Sequence, residues 1–413
     1  MLLTPYRVLD LTGPLGFSCG KILGDLGADV IKVEPPTGDP SRSTPPLLRP
    51  ARGEPQSLHW LAFNANKRGI TLDVENPAGQ NLLVRLLKSA DFLVESFPPG
   101  SLNERGLGYA QLKHRNPRLI WVSITPYGQD GPYKDFSGSD LEIMALGGAM
   151  SLAGEKDGEP MRVTIPQAPM WVGAEAAMGA LTALAYRSLT NTGQHVDVSA
   201  QAAVMAALAH APAFWDLNRT NPERAGIFLT GRSITGAKMR MFWPCKDGWI
   251  NFCLYGGAAG RHANRQLVAW MDETNSAPEW LKQVNWDNFD ATAVTQDEVD
   301  AFEAPIGRFL SGLTKQEFYE GVVKREILGY PVHTIKDIFG DPHLAARNFW
   351  TEIEDPSSGV RMKYPGGFAI INNERLRIAR PAPSVGQHNE EVYSKELGLS
   401  ASEMQQLHAA GAV

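Results

Sequence analysis

The sequence predicts an α/β protein whose larger domain is built on a doubly wound parallel sheet. Over the first 130 residues, short apolar strands alternate with amphipathic helices, which is the order of βαβ units. A helical region follows from about 140 to 217, and a smaller mixed region begins near 245. Because 413 residues is long for a single core, we expect two domains.

The individual elements carry their own start and stop signals. The first strand is YRVLDLT, and the helix SCGKILGDLG after it ends at Gly27. ADVIKVE is the second strand, stopped by Pro35 and Pro36. GITLDV, DFLVES and LIWVSIT supply three more strands. NPAGQNLLVRLLKSA forms a helix with Asn76 as its N-cap and Pro77 in its first turn.

Composition excludes several classes of protein. A net charge of −6 argues against a general role in binding nucleic acid or a membrane surface. The cysteines at 19, 245 and 253 form no CxxC pair, which indicates a reducing compartment and no structural zinc. The first residues lack the pattern of a signal peptide. Polar residues and a proline interrupt the alanine-rich stretches 170–186 and 198–215, which favours buried helices over membrane spans. We therefore expect a cytoplasmic protein with no membrane or nucleic-acid partner.

Two stretches suggest a binding edge. Arg42 follows a Pro/Gly-rich loop on the carboxyl side of a strand, where open α/β sheets bind ligands. FNANKRGITLD offers Asn64, Asn66, Lys67 and Arg68 just before a strand. Adjacent cations with amide donors suit a phosphate, but a solvated loop explains the same residues. Both interpretations stay open on the residues alone.

Residue types and spacing reveal no catalytic group. Ser123 lacks the strand–turn–helix context of a nucleophile elbow, and the nine histidines show no metal-ligand spacing. The stretch IPQAPMWVGAEAAMGALTALAYR, residues 165–187, is shaped for the protein interior. Pro166 and Pro169 set its approach, and Glu175 is its only charge before the final arginine.

Ordered motifs along the chain resemble the class III coenzyme A transferases, the family of formyl-CoA transferase and the carnitine CoA-transferases. DLGADVIKVEPPTGDPSR matches the most characteristic segment. FNANKRGITLDV, ADFLVESFPPG, NPRLIWVSITPYGQDGPY and TGQHVDVSAQAAV follow in the same order, as do GDPHLAARNFW and LGLSASEMQQLHAAGAV. The resemblance therefore covers nearly the whole chain.

The resemblance implies an interlocked architecture. Residues 1–217 and 340–413 would form a large Rossmann-like domain, and 245–325 a smaller α/β domain. Linkers at 218–244 and 326–339 would join them. Two such chains would interlock as a ring-like dimer, each threading the ring of the other.

The resemblance also implies a covalent mechanism that this chain cannot start. In the family, an aspartate attacks the acyl-CoA thioester and forms a mixed anhydride, which is covalent catalysis by a carboxylate. That aspartate lies four residues before a glycine at the mouth of a helix. Gly173 matches the glycine, so Pro169 occupies the position of the aspartate. Proline has no nucleophile and no backbone N–H.

Other positions also depart from the family pattern, which suggests that the acyl site is dismantled. They are Leu15 and Gly16 in the first βα turn, Ser96 in place of an asparagine, Glu104 in place of an arginine with Arg105 beside it, Trp171 near the acyl position, and a reduced glycine-rich loop, TGRSITGA. The His-Asp pair of the racemase branch is replaced by Ser139-Asp140, so we expect no racemisation. CoA contacts implied by the resemblance are Arg42, Asn66, Lys67 and Phe97.

We therefore expect a non-catalytic subunit of a heteromeric CoA-transferase. CGKILGDLGADVIKVE resembles the non-catalytic subunits of heteromeric family members, whose acids include benzylsuccinate. The partner would be a homologous subunit that carries the aspartate. Coenzyme A would move between succinyl-CoA and another acid, with CoA thioesters as substrates and no covalently bound cofactor. Two alternatives remain: an active homodimer that uses a displaced carboxylate such as Glu175, and a CoA-binding scaffold or regulatory protein.

Overall fold

A computed structural model describes residues 2–50, 54–229, 237–356 and 358–413. Contacts divide the chain into two units. The large unit comprises Met1–Ala149, Val163–His210 and Leu344–Val413, and the small unit comprises Met150–Arg162 and Ala211–His343. By their contacts, three stretches that the sequence prediction gave to the large domain lie in the small unit: 150–162, 211–217 and 340–343. The predicted linkers and the interlocked dimer stay predictions.

The large unit begins with eight strands and eight helices. The strands are β1 Arg7–Leu11, β2 Asp29–Glu34, β3 Leu47–Leu48, β4 Gln56–Ser57, β5 Lys67–Thr71, β6 Phe92–Glu95, β7 Ile120–Thr125 and β8 His195–Ser199. The helices are α1 Phe17–Asp25, α2 Leu58–Asn64, α3 Pro77–Leu87, α4 Ser101–Glu104, α5 Tyr109–Leu112, α6 Asp140–Leu146, α7 Ala168–Thr190 and α8 Ala200–Ala207.

Six parallel strands form the sheet of the large unit, in the order β5-β2-β1-β6-β7-β8. Because β2 and β6 lie on opposite sides of β1, the strand order reverses at β1. The predicted α/β class is confirmed. Five of the six strands were predicted; β8 was not, since HVDVS alternates apolar with polar residues and lies at a half-exposed edge.

Local sequence signals explain how these elements begin and end. Gly27 has φ +100° just after α1, a conformation that glycine adopts without strain. Asn76 caps α3 by accepting from the backbone N–H of Ala78 at 2.9 Å, as predicted. Buried positions of α3 follow the spacing of an amphipathic stripe: Gly79, Leu82, Leu83, Leu86 and Leu87. This stripe packs in one core with Leu9, Ile31 and Leu93 of the sheet.

The C-terminal part of the large unit covers strand β5, an edge of the sheet. Its elements are α15 Pro342–Ala346, which begins in the small unit, β14 Trp350–Glu354, β15 Arg361–Pro365, β16 Ile370–Ile371, β17 Glu374–Arg375, a π-helix Glu390–Glu396 and α16 Ala401–Ala409. His388 exchanges two hydrogen bonds with Gly69, at 2.8 and 3.0 Å. The buried Tyr393 donates its hydroxyl to the carbonyl of Thr71 at 2.6 Å. These bonds cover a strand edge that would otherwise expose its backbone.

The small unit is a three-stranded antiparallel sheet, β11-β12-β13, packed with helices. Its elements are α9 Ala211–Asn218, β9 Phe228–Leu229, β10 Met239–Arg240, β11 Phe242–Cys245, β12 Gly248–Phe252, α10 Gly257–Glu273, α11 Glu279–Lys282, α12 Gln296–Ser311, α13 Lys315–Arg325, β13 Gly329–Val332 and α14 Ile335–Phe339. Trp243 fixes its core by donating from Nε1 to the carbonyl of Phe252 at 2.8 Å. Within the described ranges, no helix has the length and apolar character that crossing a bilayer requires.

Candidate functional site

The first turn of α7, residues 167–171, is the place where the family resemblance puts the nucleophile; we call it the α7 mouth. Asp140 caps it, because its Oδ1 accepts from the backbone N–H groups of Gln167 at 2.7 Å and Ala168 at 2.9 Å. A carboxylate at a helix N-terminus accepts hydrogen bonds from backbone N–H groups that lack partners within the helix, and its negative charge interacts favourably with the helix dipole. Ser139 caps α6 in a capping box with Glu142. The Ser139-Asp140 pair therefore holds two helix ends.

Helix α1 lies directly against the α7 mouth. Ser18 donates its hydroxyl to the carbonyl of Pro169 at 2.5 Å. A Cβ on Gly173 would come within 1.8 Å of Ser18 Oγ and 2.9 Å of the Cys19 backbone nitrogen. Gly173 is therefore required for the close approach of α1 and α7. The position of the missing carboxylate is held from both sides, by the α1 contact and by the Asp140 cap.

Glu175 lies on a different side of α7 from Pro169. Six residues at about 100° per residue place its side chain roughly 120° around the helix axis and about 9 Å along it. Its side chain is half-buried, and within the described residues it forms no hydrogen bond or ion pair. Trp171 is also half-buried at the mouth. Glu175 is thus a free carboxylate, but it does not occupy the location of residue 169.

Lys67 is fully enclosed beneath the first helix. Its ammonium donates to Asp10 Oδ2 at 2.7 Å, to the carbonyl of Phe17 at 2.9 Å and to Asn64 Oδ1 at 3.0 Å. Both Lys67 and Asp10 have no exposed surface. Burial alone would raise the pKa of Asp10, but the ammonium groups of Lys67 and Lys32 hold that pKa below its ordinary value. All three ammonium protons of Lys67 therefore have partners inside the protein.

Arg42 and Asn66 are also engaged by the protein itself. The Arg42 guanidinium makes a two-pronged contact with Glu34, at 2.6 and 2.7 Å, and stacks over Trp60 at 3.9 Å. Asn66 has φ +67° and donates to Asp25 Oδ1 at 2.7 Å, while its own Oδ1 accepts from the backbone N–H of Ala379 at 2.7 Å. These side chains brace the sheet edge.

A cavity of about 330 Å³ opens where the strand order reverses; we call it the sheet-edge cavity. Phe97 lines it, and Ser96 beside it accepts from the backbone N–H of Gly13 at 2.7 Å. Of the four CoA contacts implied by the resemblance, Phe97 alone lines this cavity. Lys32 supplies a positive charge, although its ammonium already donates to the carbonyl of Thr12 at 2.6 Å. The acidic side chains on the wall are Glu34, Asp39, Asp73 and Glu75.

The structure also brings together a serine and a histidine that the sequence did not connect. Ser123 Oγ lies 2.9 Å from His195 Nε2, and Glu95 is a further hydrogen-bond partner of Ser123. Burial raises the pKa of Glu95 and lowers the pKa of His195. Because Ser123 is 2% exposed and shared between two partners, we interpret the cluster as a buried polar network. The 72 residues between Ser123 and His195 hid this contact from sequence reasoning.

Two of the residues that depart from the family pattern, Ser96 and Gly16, hold the backbone around them in place. A Cβ on Gly16 would lie 2.6 Å from Cγ2 of Thr12, so this turn requires glycine. Arg105 pairs with Glu75, its Nε donating at 2.9 Å, and its neighbour Glu104 ends the short helix α4. The reduced glycine-rich loop TGRSITGA lies outside the described residues except for Ala237.

The fold and the sequence are those of the third class of coenzyme A transferases. The profile of the family described as CoA-transferase family III matches residues 3–389, so this chain belongs to that family and the resemblance is confirmed. It is 35% identical to succinyl-CoA:(R)-benzylsuccinate CoA-transferase subunit BbsE of Thauera aromatica, over 99% of this chain and 97% of that protein. It is 30% identical to succinyl-CoA–D-citramalate CoA-transferase of Chloroflexus aurantiacus, over 98% and 97%.

A solved structure agrees with this assignment. A CAIB/BAIF family protein from Brucella suis superposes with a TM-score of 0.79 at 27% identity. The match covers 94% of this chain and 98% of that one. The transferase class follows from the family, and CoA-transferases use CoA thioesters as substrates.

Proposed function

We propose that this chain is the nucleophile-lacking subunit of a heteromeric CoA-transferase. The observation that carries the proposal is Pro169 at the α7 mouth, where the family resemblance requires an aspartate. A proline offers no group that could attack a thioester carbonyl. A homologous partner subunit would supply the aspartate, and this subunit would complete the assembly around it.

The surroundings of Pro169 support this proposal. The nearby carboxylate of Asp140 is engaged in capping α7. The mouth is packed against Ser18 and has no room for a larger residue at Gly173. Subunits of heteromeric enzymes also occur among the relatives. The BbsE relative is described as a subunit, and a Chloroflexus aurantiacus relative, 29% identical over 98% of this chain and 97% of that protein, is a beta subunit of succinyl-CoA–L-malate CoA-transferase.

The proposed reaction moves CoA from succinyl-CoA to a second carboxylic acid, with benzylsuccinate as the first acid to test. The name of the BbsE relative supports this pair of acids. On the partner, the aspartate would attack the thioester carbon and release the CoA thiolate. The thiolate would then attack the aspartyl carbonyl and release succinate. The acceptor carboxylate would then attack the aspartyl–CoA thioester, forming a second anhydride and releasing the CoA thiolate. Attack of this thiolate on the acceptor's carbonyl carbon would give the new CoA thioester and regenerate the aspartate.

For this subunit's own CoA contacts, we propose two kinds of role. Phe97 lines the sheet-edge cavity and would touch CoA directly. Arg42 would leave Glu34 to reach a phosphate, while Lys67 and Asn66 would hold the edge in place. Phe97→Ala should weaken CoA binding to the assembled complex about 10-fold through lost stacking area. Calorimetry in which this variant binds CoA as the wild type does would remove Phe97 from the site.

Expression of the chain alone and with a homologue that carries the aspartate tests the subunit role. The chain alone should give no CoA transfer, and the co-expressed pair should give turnover. The control is the same pair with the partner's aspartate replaced by asparagine, which should be inactive. Robust turnover by the homogeneous single chain would contradict the proposal.

That contrary result would favour the second candidate function, an active homodimer that uses Glu175. The observation behind it is the free, half-buried carboxylate of Glu175. In such a homodimer, Glu175→Gln would abolish turnover. If the chain is instead the nucleophile-lacking subunit, the same substitution should leave the activity of the complex unchanged within about twofold. Thioester binding without turnover, whichever partner is added, would instead identify a scaffold or regulatory protein.

Restoring the aspartate tests whether the site is otherwise complete. We expect Pro169→Asp to give no acyl-enzyme with succinyl-CoA, since a nucleophile works only where its surroundings hold it to within about 0.5 Å. Mass spectrometry after incubation with succinyl-CoA, with and without hydroxylamine, reads the result. An adduct on residue 169 with measurable turnover would show that a single substitution separates this chain from an active enzyme.

A further inference from the structure

A second cavity, of about 310 Å³, lies in the C-terminal part of the large unit; we call it the hairpin cavity. Its walls come from strands β14, β15 and β17 and the residues that flank them. It shares no lining residue with the sheet-edge cavity. Its volume is at the lower end of the range for small-molecule sites, which begins at about 300 Å³.

Two arginines, Arg375 and Arg377, line this cavity. Within the part of the chain that the structure describes, the side chains of Arg375 and Arg377 form no ion pair and no hydrogen bond. Arg375 is half-buried, and Arg377 is exposed. A guanidinium carries five N–H donors in a planar fork, and such a group close to a cavity wall favours an anion.

The acids nearby do not neutralise these arginines. Glu354 pairs with Arg361 at 3.1 Å, and Glu352, on the cavity wall, pairs with Lys363 at 3.4 Å. Glu374 precedes Arg375 on β17, and neighbouring side chains of a strand point to opposite faces. The hairpin β14–β15 therefore balances its own charges, and Arg375 and Arg377 add two positive charges.

Aromatic rings form the apolar part of the same wall. Phe349 and Trp350 both line the cavity, with ring centroids 5.1 Å apart and planes at 71°. Two flat rings next to two guanidinium groups match a ligand that has an apolar ring at one end and a negative charge at the other. A phosphate or sulfate has no apolar part, and it would contact the arginines alone.

We propose that the hairpin cavity binds a small organic anion, a carboxylate carried on an apolar ring. Arg375 and Arg377 hold the carboxylate, and Phe349 and Trp350 pack against the ring. The contact is binding alone, with no bond made or broken. It stands apart from the CoA-transferase proposal, because it is tested without any CoA thioester.

Calorimetry on the full chain tests this proposal with three probes. Benzoate has both the charge and the ring, acetate lacks the ring, and benzyl alcohol lacks the charge. We expect one benzoate per chain, with acetate and benzyl alcohol bound at least about 10-fold more weakly. Equal heats from benzoate and acetate would overturn the ring contact. No benzoate binding at 10 mM, roughly the weakest affinity calorimetry reads, would overturn the site.

Matched variants separate the cavity from general electrostatics. Arg375→Ala or Arg377→Ala should weaken benzoate binding at least about 10-fold, the effect of one charge-assisted hydrogen bond. Arg361→Ala removes the same charge from the same region, but its guanidinium is already paired, so binding should stay within about twofold. Equal weakening by the Arg361 and Arg375 variants would contradict the proposal. Circular dichroism of each variant confirms that the comparison is made between folded proteins.

Discussion

Asp10 in the large unit is fully buried and Glu303 in the small unit is half-buried, and their surroundings shift the pKa values of these two carboxyl groups in opposite directions. Asp10 lies 2.7 Å from the Lys67 ammonium, which together with Lys32 holds its pKa below the ordinary value despite full burial. Glu303 accepts from the backbone N–H of Arg240 at 2.7 Å and has no ion pair within the described residues. Burial raises the pKa of Glu303 to about 7.

The difference shows that the partners of a carboxyl group, more than its burial, decide the direction in which its pKa shifts in this fold. The paired carboxylate of Asp10 stabilises the folded state above the ordinary pKa of aspartate, and this stabilisation is lost as the pH falls through its lowered folded pKa. The carboxylate of Glu303 destabilises the folded state above about pH 7, and the penalty disappears as the pH falls towards the ordinary pKa of glutamate. The same distinction separates Arg42, which is paired with Glu34, from Arg375, which has no ion pair among the residues that the structure describes.

Removing the partner of Asp10 should have the largest effect. Lys67→Met leaves a carboxylate buried without its cation, and we expect a loss of about 3–5 kcal/mol in the free energy of unfolding. Urea titration followed by circular dichroism measures the loss. Asp10→Asn in the same chain should recover most of it, because the uncompensated charge is then gone. A Lys67→Met variant as stable as the wild type would show that the pair contributes nothing.

Breaking the Arg42–Glu34 contact should have the next largest effect. The Glu34 side chain has no exposed surface, and without Arg42 the one hydrogen-bond donor left to it among the described residues is the backbone N–H of Asp39. We expect Arg42→Ala to lower the free energy of unfolding by about 1–3 kcal/mol. The stability of Arg42→Lys should lie between those of the wild type and Arg42→Ala, since an ammonium group cannot make the two-pronged contact. If the two variants lose the same stability, the fork geometry is irrelevant.

The unpaired carboxylate should respond with the opposite sign. Glu303→Gln keeps the acceptor for Arg240 and removes the charge, so the small unit should gain up to about 1 kcal/mol at pH 8, a figure reduced for the solvent exposure of the group. At pH 4 the two proteins should be nearly equally stable, since the carboxyl group is then largely protonated in both the folded and the unfolded state. Hydrogen exchange in strands β10 and β11 at both pH values measures the gain. A loss of stability at pH 8 would contradict the assignment.

The arginine without a partner should show the smallest effect on stability. Arg375→Ala breaks no contact within the described residues, and we expect a change below about 0.5 kcal/mol. The same variant is the one expected to lose benzoate binding. A destabilisation as large as that of Arg42→Ala would show that Arg375 serves the fold, and the contrast between paired and unpaired arginines would then fail.

Sequence patterns predicted the elements that rest on local physics. Strands β6 and β7 of the six-stranded sheet are mostly apolar runs, as buried parallel strands require, and the Asn76 cap is a short-range signal. Strand β8 was not predicted, because its side chains are partly exposed at the edge of the sheet and do not form an apolar run. A place in the sheet is a tertiary property, and the five residues of β8 do not reveal it.

The candidate site could be predicted only at positions where the family resemblance says which residue to expect. Pro169 could be compared with a family aspartate, but nothing local indicated that Asp140 would cap α7 or that Ser18 would bond to Pro169. Lys67 and Arg68 resembled a solvated basic pair, yet both are buried and paired. Their partners lie 57 and 328 residues away in the chain, beyond the reach of any spacing rule.

The C-terminal residues that cover strand β5 are synthesised long after the strand itself. The residues that bond to Gly69 and Thr71 are made roughly 320 residues after the strand itself. At about 5–20 residues per second, the ribosome needs roughly 16–64 s to supply them. During that interval the backbone groups of strand β5 that these residues later bond have no partner from the C-terminal part of the chain. The large unit is therefore finished late in translation, and a ribosome-bound chain that ends before residue 388 still has this edge of the sheet open.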